Sequence, residues 1–382
     1  MALHHRLADH HREELLPAGG GRPGGGGAGG TGNSVKGLFL AVVLLLSQLW
    51  PLGARDLTIL TYNVENLFDD VHDGTEFPEF DPARGVWNTD LFHMRVETIA
   101  EVVRKAVPGG PDVLLLQEVE NENALHVLLS SGLSGLGYNS YVIVPKKKLA
   151  ANVAIASRLP LSHVRSNAVH AWRKNPVRDV IEAEIETKDG TLHLFDDHWK
   201  SKAGGARATE RSRLESAGIV ARRIREITAG DPAAHIIVAG DMNENCDEFD
   251  RVGASYQTAL IPASDTAPVA YSASSIFLAD GKTGPGIDSS GRVVLYEPWL
   301  ELPRGERGSY FYQGEWETMD HILISAGLLD SRGLQYRKGG FRVLRLPFLL
   351  GPDGTPRKWT HLKGARGYSD HLPLHITLHT GG

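Results

Sequence analysis

Short apolar segments that end in polar residues constrain the fold of this chain more than any other feature. DVLLLQEV (112–119) is apolar on both faces and is bounded by turn residues, which is typical of a strand buried in a core. DLTILTYNV (56–64) and HIIVAGDMN (235–243) follow the same pattern. Because acids, amides and imidazoles recur at strand ends, the pattern predicts a site along one rim of a pair of sheets.

The segments between these strands predict both helices and hairpins. Apolar residues recur at helical spacing in 89–107, with Thr89 as the expected N-cap, and 208–228 is the second predicted helix. VIEAEIETKDGTLHLFDDHW (180–199) alternates apolar and polar residues and turns at Asp189-Gly190, which indicates a β-hairpin. Further strands are predicted at 319–325, 341–350 and 370–378. Strands joined by hairpins as well as helices favour a mixed α/β sandwich over a purely parallel sheet.

The N-terminal segment differs from the rest of the chain. Residues 17–34 are rich in glycine and are predicted to be disordered. Lys36, the apolar run 37–46 and Ala54 match a signal peptide over 35–54, with cleavage near Ala54 and export to the periplasm or the extracellular space. A signal starts close to its basic end, so translation is expected to start near Val35 and residues 1–34 to be untranslated. An uncleaved anchor is the less favoured alternative, and 55–382 is predicted to be one domain.

Charge and cysteine content exclude two classes of protein. The chain carries 40 basic and 46 acidic residues, a net charge of −6, so it is not built to coat a polyanion. Its one cysteine, Cys246, leaves no disulfide framework and is expected to be a small structural residue.

The polar residues at the strand ends complement one another chemically. Carboxylates and amide oxygens without a cysteine cluster suit Mg²⁺ or Mn²⁺, and imidazoles transfer protons near neutral pH. Hydrolysis of a phosphate ester needs both kinds of group. Singly, each residue also has a structural explanation, such as an Asx turn in GDMN. The set is Asn63, Glu65, Glu118, His198, Asp241, Asn243, Asp320, Asp370 and His371.

Six motifs in order give the chain a family resemblance. TYNVEN, LLQEVE, HWKSK, AGDMNEN, MDHILIS and YSDHLPL span nearly all of 56–378. In these motifs the chain resembles the endonuclease/exonuclease/phosphatase superfamily, which includes pancreatic-type deoxyribonucleases and apurinic/apyrimidinic endonucleases. The resemblance implies a four-layered α/β/β/α sandwich of two mixed sheets with outer helices. It also implies metal-dependent phosphoester hydrolysis.

The resemblance further implies a role for each matching residue. Glu118 is expected to be the main metal ligand, with Asn63, Glu65 and Asp370 near the metal directly or through water. Asp241 and Asn243 would position or deprotonate the attacking water, and His198 would donate to the phosphate or the leaving group. Asp320 would orient His371, which works as base or phosphate binder; the sequence leaves open whether Asp241 or His371 takes the proton.

Several neighbouring residues keep two interpretations. Asp197 stands where the family more often has Asn or Thr, so it either raises the pKa of His198 or faces solvent. His321 is expected to be a packing residue. Arg178, and Lys200 with Lys202, either bind phosphate or are surface charges. The basic segments 145–152 and 356–368 either follow a nucleic-acid strand or are charged loops, which is slightly favoured.

The sequence therefore predicts an exported, Mg²⁺- or Mn²⁺-dependent phosphodiesterase, first a nuclease acting on DNA or RNA. A phospholipid or inositol-phosphate phosphoesterase is the alternative, and a non-catalytic binding module is third. ETMDHIL replaces the Cys-Asp-Arg signature of inositol phosphatases. No exposed aromatic hairpin of a membrane-docking kind is evident, although the loops near Trp299 and Trp316 stay open as such. No protein partner is implied.

Overall fold

Two mixed β-sheets form the centre of the structure, a computed structural model that describes residues 56–146, 148–170, 176–264, 268–279, 283–360 and 367–380. These residues belong to one compact unit, Leu52–Gly382. The predicted disordered segment 1–34 and the predicted signal peptide 35–54 lie outside the described residues. In the part of the chain that is described, no helix is both long and apolar enough to span a bilayer.

The first sheet has six strands. Its strands are β1 (Leu57–Leu67), β2 (Val113–Val119), β3 (Ser140–Ile143), β4 (Asn152–Ser157), β16 (Gln335–Val343) and β17 (Leu374–His379). Their order across the sheet is β16-β17-β1-β2-β4-β3. Two strands that are consecutive in the chain, β1 and β2, pair in parallel, and all other pairs in this sheet are antiparallel. The two parallel strands therefore lie inside the sheet, where both faces are covered.

The second sheet has five strands in the order β15-β8-β7-β6-β5. Its strands are β5 (Leu161–Asn167), β6 (Val180–Thr187), β7 (Gly190–His198), β8 (His235–Asp241) and β15 (Asp320–Ile324). The predicted hairpin is present as β6 and β7, and β7 pairs in parallel with β8. Smaller elements are the sheet of β9 (Leu260–Pro262), β10 (Ile276–Leu278), β11 (Gly286–Ile287) and β12 (Val293–Leu295), and the hairpin of β13 (Tyr310–Tyr312) and β14 (Glu315–Glu317).

Helices cover the outer faces of both sheets. The helices are α1 (Thr89–Ala106), α2 (Glu122–Val127), α3 (Ala206–Gly230) and α4 (Glu248–Arg251). Alternation along β1 sends Ile59 into the core between the sheets and Leu60 into the core beneath α1. On the far side, Arg223 of α3 donates from Nε to Glu182 Oε2 of β6 at 2.8 Å. The predicted four-layered α/β/β/α sandwich is thus confirmed.

Local chemistry moves three predicted boundaries. The N-cap of α1 is Asn88 rather than Thr89, because Asn88 Oδ1 accepts the Leu91 amide at 3.1 Å. The strand predicted at 341–350 ends at Val343, and Pro347 begins a 3₁₀ turn. The strand predicted from Asp370 begins only at Leu374, since Pro373 has no amide hydrogen to donate.

Candidate active site

Strand register brings together residues that lie far apart in the sequence. In the second sheet, His198 at the end of β7 lies opposite Asp241 at the end of β8, because the two strands are parallel and end at one rim. The antiparallel strand β15 begins with Asp320, also opposite Asp241. From the first sheet, Asn63 of β1 donates from Nδ2 to Asp241 Oδ2 at 3.0 Å. The site therefore lies where one rim of each sheet meets the other.

Irregular backbone aims several of these side chains. Glu65, Glu118 and Asn243 have φ values of 49°, 68° and 52°, in the left-handed region that residues with a Cβ seldom adopt. The β1–β2 register shifts at the same place, between Asn63 and Leu67. Each such conformation costs on the order of 1–3 kcal/mol and occurs mostly at functional sites. Side-chain acceptors offset part of this cost, since Asn63 Oδ1 accepts the Glu65 amide and Asp241 Oδ1 accepts the Asn243 amide, both at 3.0 Å.

An acid–imidazole pair forms one wall of the site. His371 Nδ1 lies 2.8 Å from Asp320 Oδ2, which orients Nε2 toward Asp241 Oδ2 and Asp370 Oδ1, each at 3.9 Å. The ring of Tyr310 stacks on the imidazole with centroids 4.6 Å apart. Burial lowers the pKa of His371, but the negative charges of Asp320, Asp241 and Asp370 outweigh it and leave the pKa well above its ordinary value. The imidazole is therefore held as a cation that can face a phosphate.

A second imidazole lies close to the same carboxylate. His198 Nε2 lies 3.4 Å from Asp241 Oδ2 and 4.0 Å from Glu118 Oε1. Burial, and then the charges of Arg178, His371 and Lys200, lower the pKa of His198 well below its ordinary value, so the ring is neutral at neutral pH. Two imidazoles of different charge state thus point at one oxygen.

Asp197 follows neither of its two predicted roles. Its side chain is 1% exposed, so it does not face solvent. Successive strand residues point to opposite faces, which directs Asp197 away from His198, and the pKa of His198 is lowered rather than raised. Burial raises the pKa of Asp197 itself to about 7.

The predicted metal ligands form a set of crowded carboxylates that fits a divalent cation. Burial, and next the charge of Asp370, raise the pKa of Glu118, and Asn63 Nδ2 is its only close hydrogen-bond donor among the described residues, at 3.3 Å. Oxygen donors of this kind, without thiols, suit Mg²⁺ or Mn²⁺. Glu118 and Asp370 are thus the residues that would hold the cation.

Glu65 lies beside Asp370, but both of its oxygens are engaged. Oε2 accepts the amides of Trp359 and Asp370 at 2.7 and 2.9 Å. The Lys358 ammonium lies 3.1 Å from Oε1 and 3.5 Å from Asp370 Oδ2. In this arrangement Glu65 positions Asp370, and direct ligation by Glu65 would require Lys358 to move.

The predicted phosphate-binding cations separate into two groups. Arg178 donates from Nε to Ala151 O at 2.9 Å, and its charge acts on Glu118 and Asp241. Lys200 lies near enough to lower the pKa of His198, while its Nζ donates to Ser201 Oγ at 3.1 Å. Lys202 instead pairs with Glu248 at 2.6 Å, so its charge is already compensated.

Other predicted side chains have structural roles. Both ring nitrogens of the fully buried His321 are engaged, Nδ1 with Glu297 Oε2 at 2.6 Å and Nε2 with Glu244 O at 2.9 Å. Cys246 is buried, and burial raises the pKa of its thiol to about 12. Trp359, from the basic segment 356–368, is 5% exposed and packs against Arg95, so it is not an exposed stacking surface.

Sequence patterns missed the hairpin of β13 and β14. It carries the aromatic pair Tyr310 and Tyr312, whose centroids are 6.1 Å apart, and Tyr312 is 52% exposed. The sequence left open a membrane-docking loop near Trp316, and Trp316 lies in β14 of this hairpin. The alternation YFYQGEWE around Gln313-Gly314 is the signal that could have found it.

A buried ionic network behind the site was missed as well. Arg213 of α3 donates from Nε to Glu244 Oε1 at 3.0 Å and from Nη2 to Glu210 Oε2 at 2.6 Å. Its Nη1 donates to Lys200 O at 2.9 Å. Because Glu244 directly follows Asn243, this network links α3 to two of the loops that line the site.

Comparisons with known proteins identify the family and the fold of the chain. The sequence model described as the Endonuclease/Exonuclease/phosphatase family matches residues 58–259 and 278–380. A search of curated proteins found no match. Among solved structures, D. rerio TDP2 humanized by 14 mutations is 16% identical, with 85% of this chain and 99% of that chain covered and a TM-score of 0.50. At that identity the likeness shows a shared fold alone.

Two further structures are similar at lower TM-scores. An endonuclease/exonuclease/phosphatase family protein from Bacteroides thetaiotaomicron is 17% identical, with 86% of this chain and 96% of that chain covered and a TM-score of 0.49. Sphingomyelinase C from Streptomyces griseocarneus is 16% identical, with 86% of this chain and 100% of that chain covered and a TM-score of 0.48.

Proposed function

The chain belongs to the endonuclease/exonuclease/phosphatase family, and from that premise we propose that it is a nuclease that hydrolyses phosphodiester bonds in DNA or RNA. As a member of this family it is a divalent-metal-dependent phosphoester hydrolase. One observation carries the proposal. Two imidazoles, His198 at the end of β7 and His371 in the segment before β17, face the same oxygen of Asp241 at 3.4 and 3.9 Å, next to the crowded carboxylates Glu118 and Asp370.

The arrangement supports in-line hydrolysis by water. Glu118 and Asp370 would hold a divalent cation, which would compensate the charge of the phosphoryl oxygens. Asp241 Oδ2, fixed by the Asn63 amide, can orient the attacking water and accept its proton. The His371 imidazolium can donate from Nε2 to a phosphoryl oxygen. His198, whose Nε2 also lies close to Asp241 Oδ2, would donate to the phosphate or to the leaving group. We assign Mg²⁺ to the cation site first and Mn²⁺ second, from the oxygen-rich donor set.

Aromatic side chains beside the site favour a nucleic acid as substrate. Tyr310 lies between the His371 ring and Tyr312, and Tyr312 is half-exposed at its edge. Bases stack on such side chains regardless of sequence. The same exposed tyrosine on a short hairpin also suits contact with a lipid surface, which makes a phospholipid phosphodiesterase the second candidate.

Plasmid nicking tests the proposed activity. With Mg²⁺ or Mn²⁺ the purified protein should convert supercoiled DNA to open-circle or degraded DNA, and a chelator should abolish the conversion because the crowded carboxylates then lack their cation. Single-stranded RNA is the parallel substrate. If DNA and RNA stay intact in both metals while sphingomyelin or phosphatidylcholine vesicles are hydrolysed, the nuclease proposal is wrong and the lipid alternative replaces it.

Tyr312→Ala should separate binding of a base from the chemical step. Loss of one stacking surface is worth about 1–3 kcal/mol, so we expect KM for single-stranded DNA to rise about 5- to 150-fold. Bis(p-nitrophenyl) phosphate is too small to need the stacking surface of Tyr312, so its rate of hydrolysis should stay within about twofold of the parent. Tyr141→Ala, at an exposed tyrosine of β3, is the matched control. An unchanged KM for DNA, with a loss confined to lipid vesicles, would assign Tyr312 to membrane contact.

We also propose that the protein is exported. The support is the signal-like segment 35–54, with its basic start, short apolar run and Ala54. N-terminal sequencing of protein recovered from the periplasm or medium should give a terminus near Arg55, and a terminus upstream of Val35 would oppose the proposal.

A further inference from the structure

Carboxylates of the loop after β1 converge on the end of β2, outside the active site. Asp73, Glu76 and Glu120 each offer an oxygen, and these oxygens lie within 4.8 Å of one another. The Glu76 side chain is 2% exposed and Glu120 is 2% exposed, whereas Asp73 reaches the cluster from the surface. We call these three residues the Glu120 cluster.

Backbone hydrogen bonds fix the orientation of all three carboxylates. Glu120 Oε2 accepts the Asp69 amide at 2.8 Å, and Glu76 Oε2 accepts the Gly74 amide at 2.8 Å. Asp73 Oδ1 accepts from the Thr75 amide and hydroxyl at 2.8 and 2.7 Å. The loop is thus folded around its acids rather than extended into solvent.

One oxygen of the cluster has no partner. Glu120 Oε1 is buried and accepts no hydrogen bond from any described residue. An isolated buried carboxylate oxygen is costly, and nearby carboxylates of like charge increase that cost. Within the described ranges, the one basic side chain at ion-pair distance from the cluster is His72, whose Nδ1 lies 3.6 Å from Glu76 Oε1 but only 2.9 Å from Asp81 Oδ1. Among the described residues, no cationic side chain is therefore dedicated to the cluster.

We propose that the Glu120 cluster binds a divalent cation, Ca²⁺ by preference, at a site distinct from the one at Glu118. The two sites face different groups: Glu118 meets Asn63, and Glu120 meets the Asp69 amide. Two carboxylates of the loop after β1 and one at the end of β2, with solvent at the Asp73 side, suit the larger and more variable oxygen coordination of Ca²⁺. Mg²⁺ demands stricter octahedral geometry and retains its own waters.

A cation here would act on the structure of the active site. Asp69 O accepts a hydrogen bond from Trp87 Nε1 at 2.7 Å, and Asp69 Oδ2 accepts from Asn121 and Asn123 at 3.1 and 2.8 Å. The loop is thereby joined to the ends of β1 and β2, which carry Glu65 and Glu118. Its role is structural, because none of its three acids contacts the predicted reacting groups in the described structure.

Calcium titration of the full chain tests the proposal. Because Ca²⁺ can also enter the active site, the titration starts from Glu118→Gln, which removes the main predicted ligand there. This variant should still bind one Ca²⁺ in isothermal titration calorimetry. Adding Glu120→Gln should weaken that binding at least tenfold, as should adding Asp73→Asn. Glu122→Gln, an exposed acid two residues further along, is the matched control and should leave the binding unchanged.

Two further measurements distinguish loss of Ca²⁺ binding from loss of folding. Asp73 lies on the surface, so Asp73→Asn should keep the parent circular-dichroism spectrum even if Glu120→Gln does not. Ca²⁺ should raise the Tm of the Glu118→Gln protein by several degrees but leave the Tm of its Asp73→Asn derivative unchanged. Equal Ca²⁺ affinity with and without Asp73→Asn would overturn the proposed site. Binding of Mg²⁺ but not Ca²⁺ there would overturn the preference for Ca²⁺.

Discussion

Replacing His371 with alanine is expected to lower kcat/KM for phosphodiester hydrolysis by about 10³-fold. The substitution removes the imidazolium that Asp320 orients at 2.8 Å and that faces Asp241 and Asp370 at 3.9 Å. A loss of that size corresponds to about 4 kcal/mol of transition-state stabilisation. Bis(p-nitrophenyl) phosphate is the substrate to measure first, because its hydrolysis reports the chemical step without contacts to bases.

Asp320→Asn tests whether the acid acts through the imidazole. The amide keeps the shape of the side chain but no longer supplies the negative charge that raises the pKa of His371. We expect a loss of about 10²-fold in kcat, with little change in KM. Adding His371→Ala to Asp320→Asn should cost little more than His371→Ala alone, since the two residues act as one unit.

A histidine on the strand that follows the site provides the control. His379, at the far end of β17, pairs with Asp56 at 3.0 Å and does not belong to the site. His379→Ala should retain activity within about twofold, and all variants should keep the parent circular-dichroism spectrum. Full activity of folded His371→Ala protein would remove His371 from the chemistry and with it the proposed arrangement of the site.

The largest expected effect on stability is that of Arg213→Met. The substitution is expected to lower the free energy of unfolding by about 3–5 kcal/mol, because it leaves buried acids without their cation. Arg213 is 0% exposed, and Glu210 and Glu244 are 4% and 0% exposed. Chemical denaturation in urea should show a lower midpoint at an unchanged m-value.

Arg222, a surface arginine on the same helix, provides the control for Arg213→Met. The side chain of Arg222 is 61% exposed and lies 3.9 Å from Glu226, so Arg222→Met should change the unfolding free energy by less than about 0.5 kcal/mol. Neutralising the acids as well, in Arg213→Met with Glu210→Gln and Glu244→Gln, should recover part of the loss. If the unfolding free energies of Arg213→Met and Arg222→Met differ by less than about 1 kcal/mol, Arg213 does not offset the charge of the buried acids as expected.

Sequence patterns predicted the fold well because they are local. DVLLLQEV is apolar on both faces, which a strand in the middle of a covered sheet requires, and the alternation in 180–199 matches one buried face and one face toward α3. The boundaries that moved, at Asn88, Val343 and Leu374, depend on single capping or proline effects. These effects shift an element by a few residues without changing its type.

The residues of the candidate site could be named from the sequence, but their environments could not. Asp197 and His198 are neighbours in the chain, yet only the register of β7 decides that His198 meets Asp241 while Asp197 is buried on the other face. Arg213, Glu297 and Tyr310 stand in no motif, and their partners Glu244, His321 and His371 lie 24 to 61 residues away. The chain by itself determined which segments become strands and which side chains can do chemistry, because both follow from local periodicity and residue type. The tertiary structure alone decided which charges face one another and which bulges aim them, because burial and Coulomb interactions depend on distances in space that a linear pattern does not contain.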